Sequence, residues 1–179
     1  MKRLIIDTSS YNELLILFSQ EELRLLTKRE EYAVEGFVII RKELRDIPKQ
    51  RMVDAAKDKK TKLRIALLSL YDYITKGRSY PLDDKMVDTA EKYFTSYVEQ
   101  GGKNEWRDLE NDFEIVACAS HKQVDIVVSE DNKTMLSREA LMAYEKVNSA
   151  NKLHMPNFTN ITDLKKELDN KYLRGVRLG

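Results

Sequence analysis

NDFEIVACASHKQVDIVVSEDNKTM, residues 111–135, places one acid at the start of a helix and another just past a strand. In its first half Asp112, Ile115, Val116 and Ala119 recur at helical spacing, and Ala117, Cys118 and Ala119 are small enough to let that helix lie close against a sheet. In its second half residues 124–128 (VDIVV) form a β-branched run too short for a helix, which predicts a buried parallel strand. The exit of that strand, Ser129-Glu130-Asp131-Asn132, then lies at the carboxyl edge of a sheet, where open α/β folds place their ligands.

The chain has 179 residues, 42% of them hydrophobic, enough for one well-buried domain. Charged residues make up 34% and the mean hydropathy is -0.55, so the surface is heavily charged. The longest apolar run, residues 14–18, is far short of the ~20 residues of a membrane-spanning helix. MKRLIIDTSS at the start lacks the long apolar region and small-residue cleavage site of a secretory signal, so a cytoplasmic protein without membrane association is expected. The lone Cys118, with only His121 and His154 beside it, leaves neither an intrachain disulfide nor a thiolate zinc site. Thirty-one basic against thirty acidic residues give no global field to attract nucleic acid, so such binding has to rest on a local patch.

From the start, residues 2–6 (KRLII) predict a short buried strand, Asp7-Thr8-Ser9-Ser10 a strand-to-helix turn, and residues 11–26 a helix. Asp7 there reads equally well as a helix N-cap or as a ligand. Residues 37–40 (FVII) predict a second strand, so that Glu43 opens the helix that follows it; alone, Glu43 reads as solvated surface. Residues 41–64 carry ten basic side chains against four acids, net +6. That is either a solvated helix face or a phosphate-contacting rim, with Arg41, Lys42, Arg45 and Lys49 as the candidate contacts. Residues 63–74 are apolar nearly all round, the mark of a buried or partner-contacting helix and a candidate homodimer surface. Asp83 or Asp84 caps a further helix that Gly101-Gly102 ends, and Trp106 reads as an anchor. Beyond Asp131, residues 134–147 predict a helix, residues 153–155 a last short strand ended by Pro156, and residues 158–173 an amphipathic helix.

Asp7, Glu43, Asp112 and Asp131 all follow strands or open helices, and together at one sheet edge they would repel one another until a cation neutralised them. Hard oxygen ligands without His or Cys suit Mg²⁺ or Mn²⁺, ions that bind substrate phosphates and activate water for phosphodiester hydrolysis.

These pieces together resemble the PIN-domain ribonucleases: LIIDTS at 4–9, KEL at 42–44, DFEIVACA at 112–119 and VVSED at 127–131. The resemblance spans roughly residues 1–156 and implies a three-layer α/β/α fold with a central parallel sheet of four to five short strands. Within it residues 51–100 form a helical excursion, and residues 157–179 add a C-terminal helical segment. It further implies Mg²⁺- or Mn²⁺-dependent endonucleolytic cleavage of RNA, metal-binding and catalytic roles for Asp7, Glu43, Asp112 and Asp131, and site-lining hydroxyls at Thr8 and Ser129. An antitoxin protein and a second copy of the chain are the partners it implies. Asn132 and Lys133 stand where many members offer another acid. A haloacid-dehalogenase phosphatase needs an acid at position 9, which is Ser9, and the six glycines make no P-loop or dinucleotide motif. The rival reading is a PIN-like fold that binds RNA or protein without cleaving.

Overall fold

The computed structural model describes residues 1–28, 31–49, 52–56 and 59–176. Four strands form its central sheet in the order β2-β1-β7-β8, all parallel: β1 is Lys2–Ile6, β2 Tyr32–Val34, β7 Ile126–Val128 and β8 Asn157–Thr159. Leu4, Ile5 and Ile6 pair with Ile126, Val127 and Val128 and are fully buried, as expected of a strand covered on both faces. A two-residue parallel ladder joins β3 (Gly36–Phe37) to β6 (Ser79–Tyr80). Gly36 is required there, because a Cβ would collide with the Tyr71 hydroxyl and the Arg78 carbonyl.

Helices cover the sheet. α1 (Tyr11–Leu17), α2 (Gln20–Lys28) and α3 (Val38–Asp46) pack on α4 (Leu63–Thr75), and α2 and α4 also contact β2. α5 (Asp84–Glu99) lies between α6 (Trp106–His121) and α7 (Arg138–Asn151), with α6 against β7. α8 (Ile161–Val176) follows β8 and buries Ile161, Leu164 and Leu168. A knot of rings, Tyr93, Phe94, Tyr97, Trp106, Phe113 and Tyr144, fills the space between α5, α6 and α7 at centroid separations of 4.9–6.5 Å. This is the α/β/α arrangement with a four-stranded parallel sheet that the motifs imply. Among the described residues no helix is long and apolar enough to cross a membrane.

Five local expectations need correction. Residues 38–40 are not a strand: only Phe37 lies in one, the short β3, while Tyr32–Val34 takes the seat beside β1 and Val38 starts α3. Ile40 and Leu44 are fully buried four residues apart while Val38 is exposed, and so short an apolar run does not distinguish strand from helix. The excursion predicted as helical from residue 51 begins with an antiparallel pair, β4 (Met52–Ala56) and β5 (Lys59–Lys62), and turns helical only at Leu63. The helix predicted over 11–26 breaks at Phe18-Ser19, where Ser19 and Glu22 form a reciprocal cap: the Ser19 amide donates to Glu22 Oε2 at 2.6 Å and the Glu22 amide to Ser19 Oγ at 3.3 Å. The last strand lies after Pro156, not before it, since a residue without an N–H can precede a ladder but not donate to one; Asn157 opens the ladder by donating to the Asp125 carbonyl at 2.9 Å. The helix predicted from Thr134 starts at Arg138, capped by Ser137, and leaves Thr134 in a turn. Arg51, Lys57 and Asp58 of the basic segment and residues 177–179 of the C-terminal one lie outside the described residues.

Candidate active site

Asp7 leaves β1 beside β7, its amide donating to the Val128 carbonyl at 2.8 Å, and only 3% of its surface is exposed. Its Oδ2 accepts from Ser9 Oγ at 2.6 Å, from Ser129 Oγ at 3.0 Å and from the Ser9 amide at 3.3 Å. Asp7 thus caps the short 3-10 turn Thr8–Ser10 and remains buried at the sheet edge as well.

Glu43, half-buried on α3, joins the two sides of the site. Its Oε2 accepts from Thr8 Oγ1 at 2.5 Å and its Oε1 from Asn111 Nδ2 at 2.8 Å, so it is bound to the neighbours of both Asp7 and Asp112. Asp112 sits in the second turn of α6, and Asp131 follows β7. Thr134 Oγ1 reaches Asp112 Oδ2 at 2.5 Å and Asp131 Oδ2 at 2.6 Å. Asp131 Oδ1 accepts the amides of Lys133 and Thr134, each at 2.9 Å, closing a tight turn on its own side chain. Ser129, fully buried, donates to Asp7 and accepts from the Asp131 amide at 3.1 Å, linking two acids through one hydroxyl.

Burial first, and then the charges of Asp7, Asp131 and Glu43, push Asp112 up to about 7 against the Thr134 hydroxyl, which works to lower it. Burial also raises Asp7 despite its serine donors, and raises Glu43 despite Thr8 and Asn111. For Asp131 burial again works upward, but the Thr134 hydroxyl and the Thr134 and Lys133 amides outweigh it and hold the group below the ordinary carboxylate range. Two carboxylates on one hydroxyl are therefore driven in opposite directions, the pattern expected where one group carries a proton and the other stays ionised.

All four acids thus come together: Asp112 feels the charges of Asp7, Asp131 and Glu43, and Glu43 feels that of Asp7. Their oxygens face hydroxyl, amide and asparagine donors, and among the described residues no three His, Cys, Asp or Glu side chains are arranged to hold a metal ion as they stand. Of the candidate phosphate contacts, Arg41 is paired with Asp72 through two bonds of 3.1 Å, while Lys42, Arg45 and Lys49 are exposed. Thr134, Asn111, Ser9 and Glu130 are the residues around the acids that pattern reading passes over. Asp131 and Thr134 stand three apart, and Asp7 and Ser9 two apart, the spacings of side-chain-closed turns, so two of the four left a local trace.

No family model matches the sequence, and no curated protein resembles it closely enough in sequence to count as a match. Solved structures do resemble it. A chain of the DNA-bound VapBC complex from Salmonella typhimurium is 13% identical, covers 89% of this chain and 98% of its own length, and superposes with a TM-score of 0.53. A chain of VapBC2 from Rickettsia felis, bound to a DNA fragment from its promoter, is 14% identical over 88% of this chain and 98% of its own, with a TM-score of 0.51. At these identities the likeness is one of fold: the chain has a PIN-like α/β/α fold.

Proposed function

We propose that this chain is a divalent-metal-dependent endoribonuclease whose reaction centre is the edge formed by Asp7, Glu43, Asp112 and Asp131. The observation that supports it most is Asp112, a carboxyl lifted to about 7 by burial and by three further acids on separate elements. Such a concentration of negative charge is costly unless it serves a cation or a proton transfer.

The donor set fits Mg²⁺ or Mn²⁺. These ions prefer oxygen ligands, and Mg²⁺ keeps several of its waters and takes only one or two carboxylates, so a site for it needs no ready cage of three. Asp7, Glu43, Asp112 and Asp131 are the acids from which the one or two carboxylate ligands of the ion would come, the others reaching it through its waters. When bound, it would supply a nucleophilic water at neutral pH and charge neutralisation at the scissile phosphate. The chain's own residues set the rest: Ser9 and Ser129 fix Asp7, Thr8 and Asn111 fix Glu43, and Thr134 holds Asp112 and Asp131 at one distance. Lys42, Arg45 and Lys49, exposed on and just after the helix that carries Glu43, are placed to meet phosphates.

The fold neighbours are two-component assemblies, and we extend the proposal to a protein partner, an antitoxin or a second copy of this chain. Ile16 and Leu17 on α1 and Ile65 and Tyr73 on α4, helices that pack together, are large apolar side chains left exposed.

The test is cleavage of a labelled structured RNA with Mn²⁺, Mg²⁺ or EDTA, comparing the parent with Asp112→Asn. Metal-dependent cleavage lowered about 100-fold or more in the variant is the expected result. A folded parent that binds the RNA, never cuts it and takes up no divalent ion would replace this reading with a binding module.

A further inference from the structure

The run Ser129-Glu130-Asp131 offers two adjacent acids, and only one faces the cluster. Glu130 is turned the other way: its Oε1 accepts the backbone amide of Ile161, the first residue of α8, at 2.8 Å. That amide belongs to a helix end whose first N–H groups have no partner within the helix, and a carboxylate is the acceptor such an end favours most. Asn160 caps the same end independently, its Oδ1 accepting the Asp163 amide at 2.8 Å. The two caps therefore serve different amides, one from inside the helix's own chain segment and one from the site loop.

The main chain on either side of Glu130 is tied as well. The Ser129 amide donates to the Thr159 carbonyl at 3.0 Å, and the Glu130 amide donates to Ser9 Oγ at 3.1 Å. The loop that presents Asp131 is thus stretched between β8 and α8 on one side and the Asp7 turn on the other. α8 is itself anchored by its buried Ile161, Leu164 and Leu168, by Lys165 on Glu22, and by Lys2 on Glu167 at 3.3 Å.

We propose that Glu130 is a positioning residue for the metal-dependent chemistry argued above: by capping α8 it fixes the loop that holds Asp131 against Thr134 and Asp112, and it directs its own charge away from the four acids. The C-terminal helix is by this route a working part of the site. The proposal rests on the nuclease reading for its catalytic consequence, whereas the ordering of the loop can be measured without any activity.

The experiment compares the parent with Glu130→Ala, Glu130→Gln and Asn160→Ala, full chain in each case. Amide exchange is read at Asp131, Lys133 and Thr134, and kcat and KM on a labelled RNA with Mn²⁺. Glu130→Ala is expected to speed exchange at the three amides about tenfold and to lower kcat about tenfold with little change in KM. Glu130→Gln, which keeps an acceptor for Ile161, is expected to recover most of both. Asn160→Ala weakens the same helix end without touching the loop, so it is expected to lower the melting temperature while leaving exchange at those amides and kcat as in the parent. Unchanged exchange in Glu130→Ala overturns the proposal, and so does an equal kcat loss in Asn160→Ala, which would make the effect one of helix stability alone. A parent without metal-dependent cleavage overturns the nuclease reading instead, and the exchange comparison still decides the role of Glu130 in ordering the loop.

Discussion

Asp112 and Asp131 share a single hydroxyl, Thr134 Oγ1, at 2.5 and 2.6 Å. A hydroxyl has one proton to give, so both contacts are hydrogen bonds only when a second proton is present, and Asp112, pushed up to about 7, is the group that carries it. Thr134→Val keeps the shape and removes the link, leaving two carboxyl groups to face each other. The expected cost is about 2 kcal/mol, with Thr134→Ser recovering most of it, read from urea unfolding in EDTA at pH 7.

Asp112 also makes stability depend on pH. A carboxyl that titrates higher in the folded chain than in the unfolded one binds more protons when folded, so its contribution falls as the pH rises from about 4 towards 7. The parent should lose roughly 3 kcal/mol over that interval from this group in metal-free buffer. Asp112→Asn should remove that share of the slope and leave a residue of the same sign, because Asp7 and Glu43 are raised too. Urea midpoints from pH 4.5 to 8, parent against variant, check it; parallel curves would contradict it.

Glu22 works in the opposite direction. Burial would raise it, but the Lys165 ammonium and the Ser19 amide and hydroxyl hold it down to about 2. Its contribution is present above the ordinary glutamate range and is lost as the pH falls through about 2. Lys165→Met should therefore cost about 1 kcal/mol at pH 6, a value discounted for solvent screening, and the difference from the parent should close by about pH 2. Acid-unfolding curves followed by circular dichroism are the measurement.

Tyr144 is fully buried on α7, and among the described residues its hydroxyl has no hydrogen-bond partner. Tyr93, packed against it edge-on at 4.9 Å, has two, Ser120 and Asn148. Removing the first hydroxyl deletes an unsatisfied polar group, whereas removing the second breaks a network. Tyr144→Phe should raise stability by about 1 kcal/mol and Tyr93→Phe should lower it by about as much. Thermal unfolding of the two variants separates the cases.

The parts of this molecule that sequence made legible are those whose signal is local. DFEIVACA carries its own helical period and its own small face, and the run VDIVV at 124–128 contains β7, so Asp131 follows a strand as expected, whereas Asp112 lies in the second turn of α6 and not at its start. FVII misled because its apolar run fits a strand and a buried helical turn equally, and only the seat already filled by Tyr32–Val34 decides between them. The Ser19–Glu22 cap was present as S-x-x-E and was hidden by the apolar run on its N-terminal side. Nothing local marks Asn111 as the partner of Glu43, or Glu130 as the cap of α8: those pairs are 68 and 31 residues apart and exist only once the chain has folded.

The strand order β2-β1-β7-β8 also has a consequence for how the chain is made. β1 finds β2 within a short stretch of synthesis, but its other edge, Leu4 to Ile6, waits for Ile126 to Val128, and β7 in turn waits for Asn157 to Thr159. Pairing over such separations closes late. Asp131 arrives with β7, and its loop is tied to β8 and α8 as well as to the Asp7 turn, so its place beside Asp7, Glu43 and Asp112 is fixed only once β8 and α8 have followed.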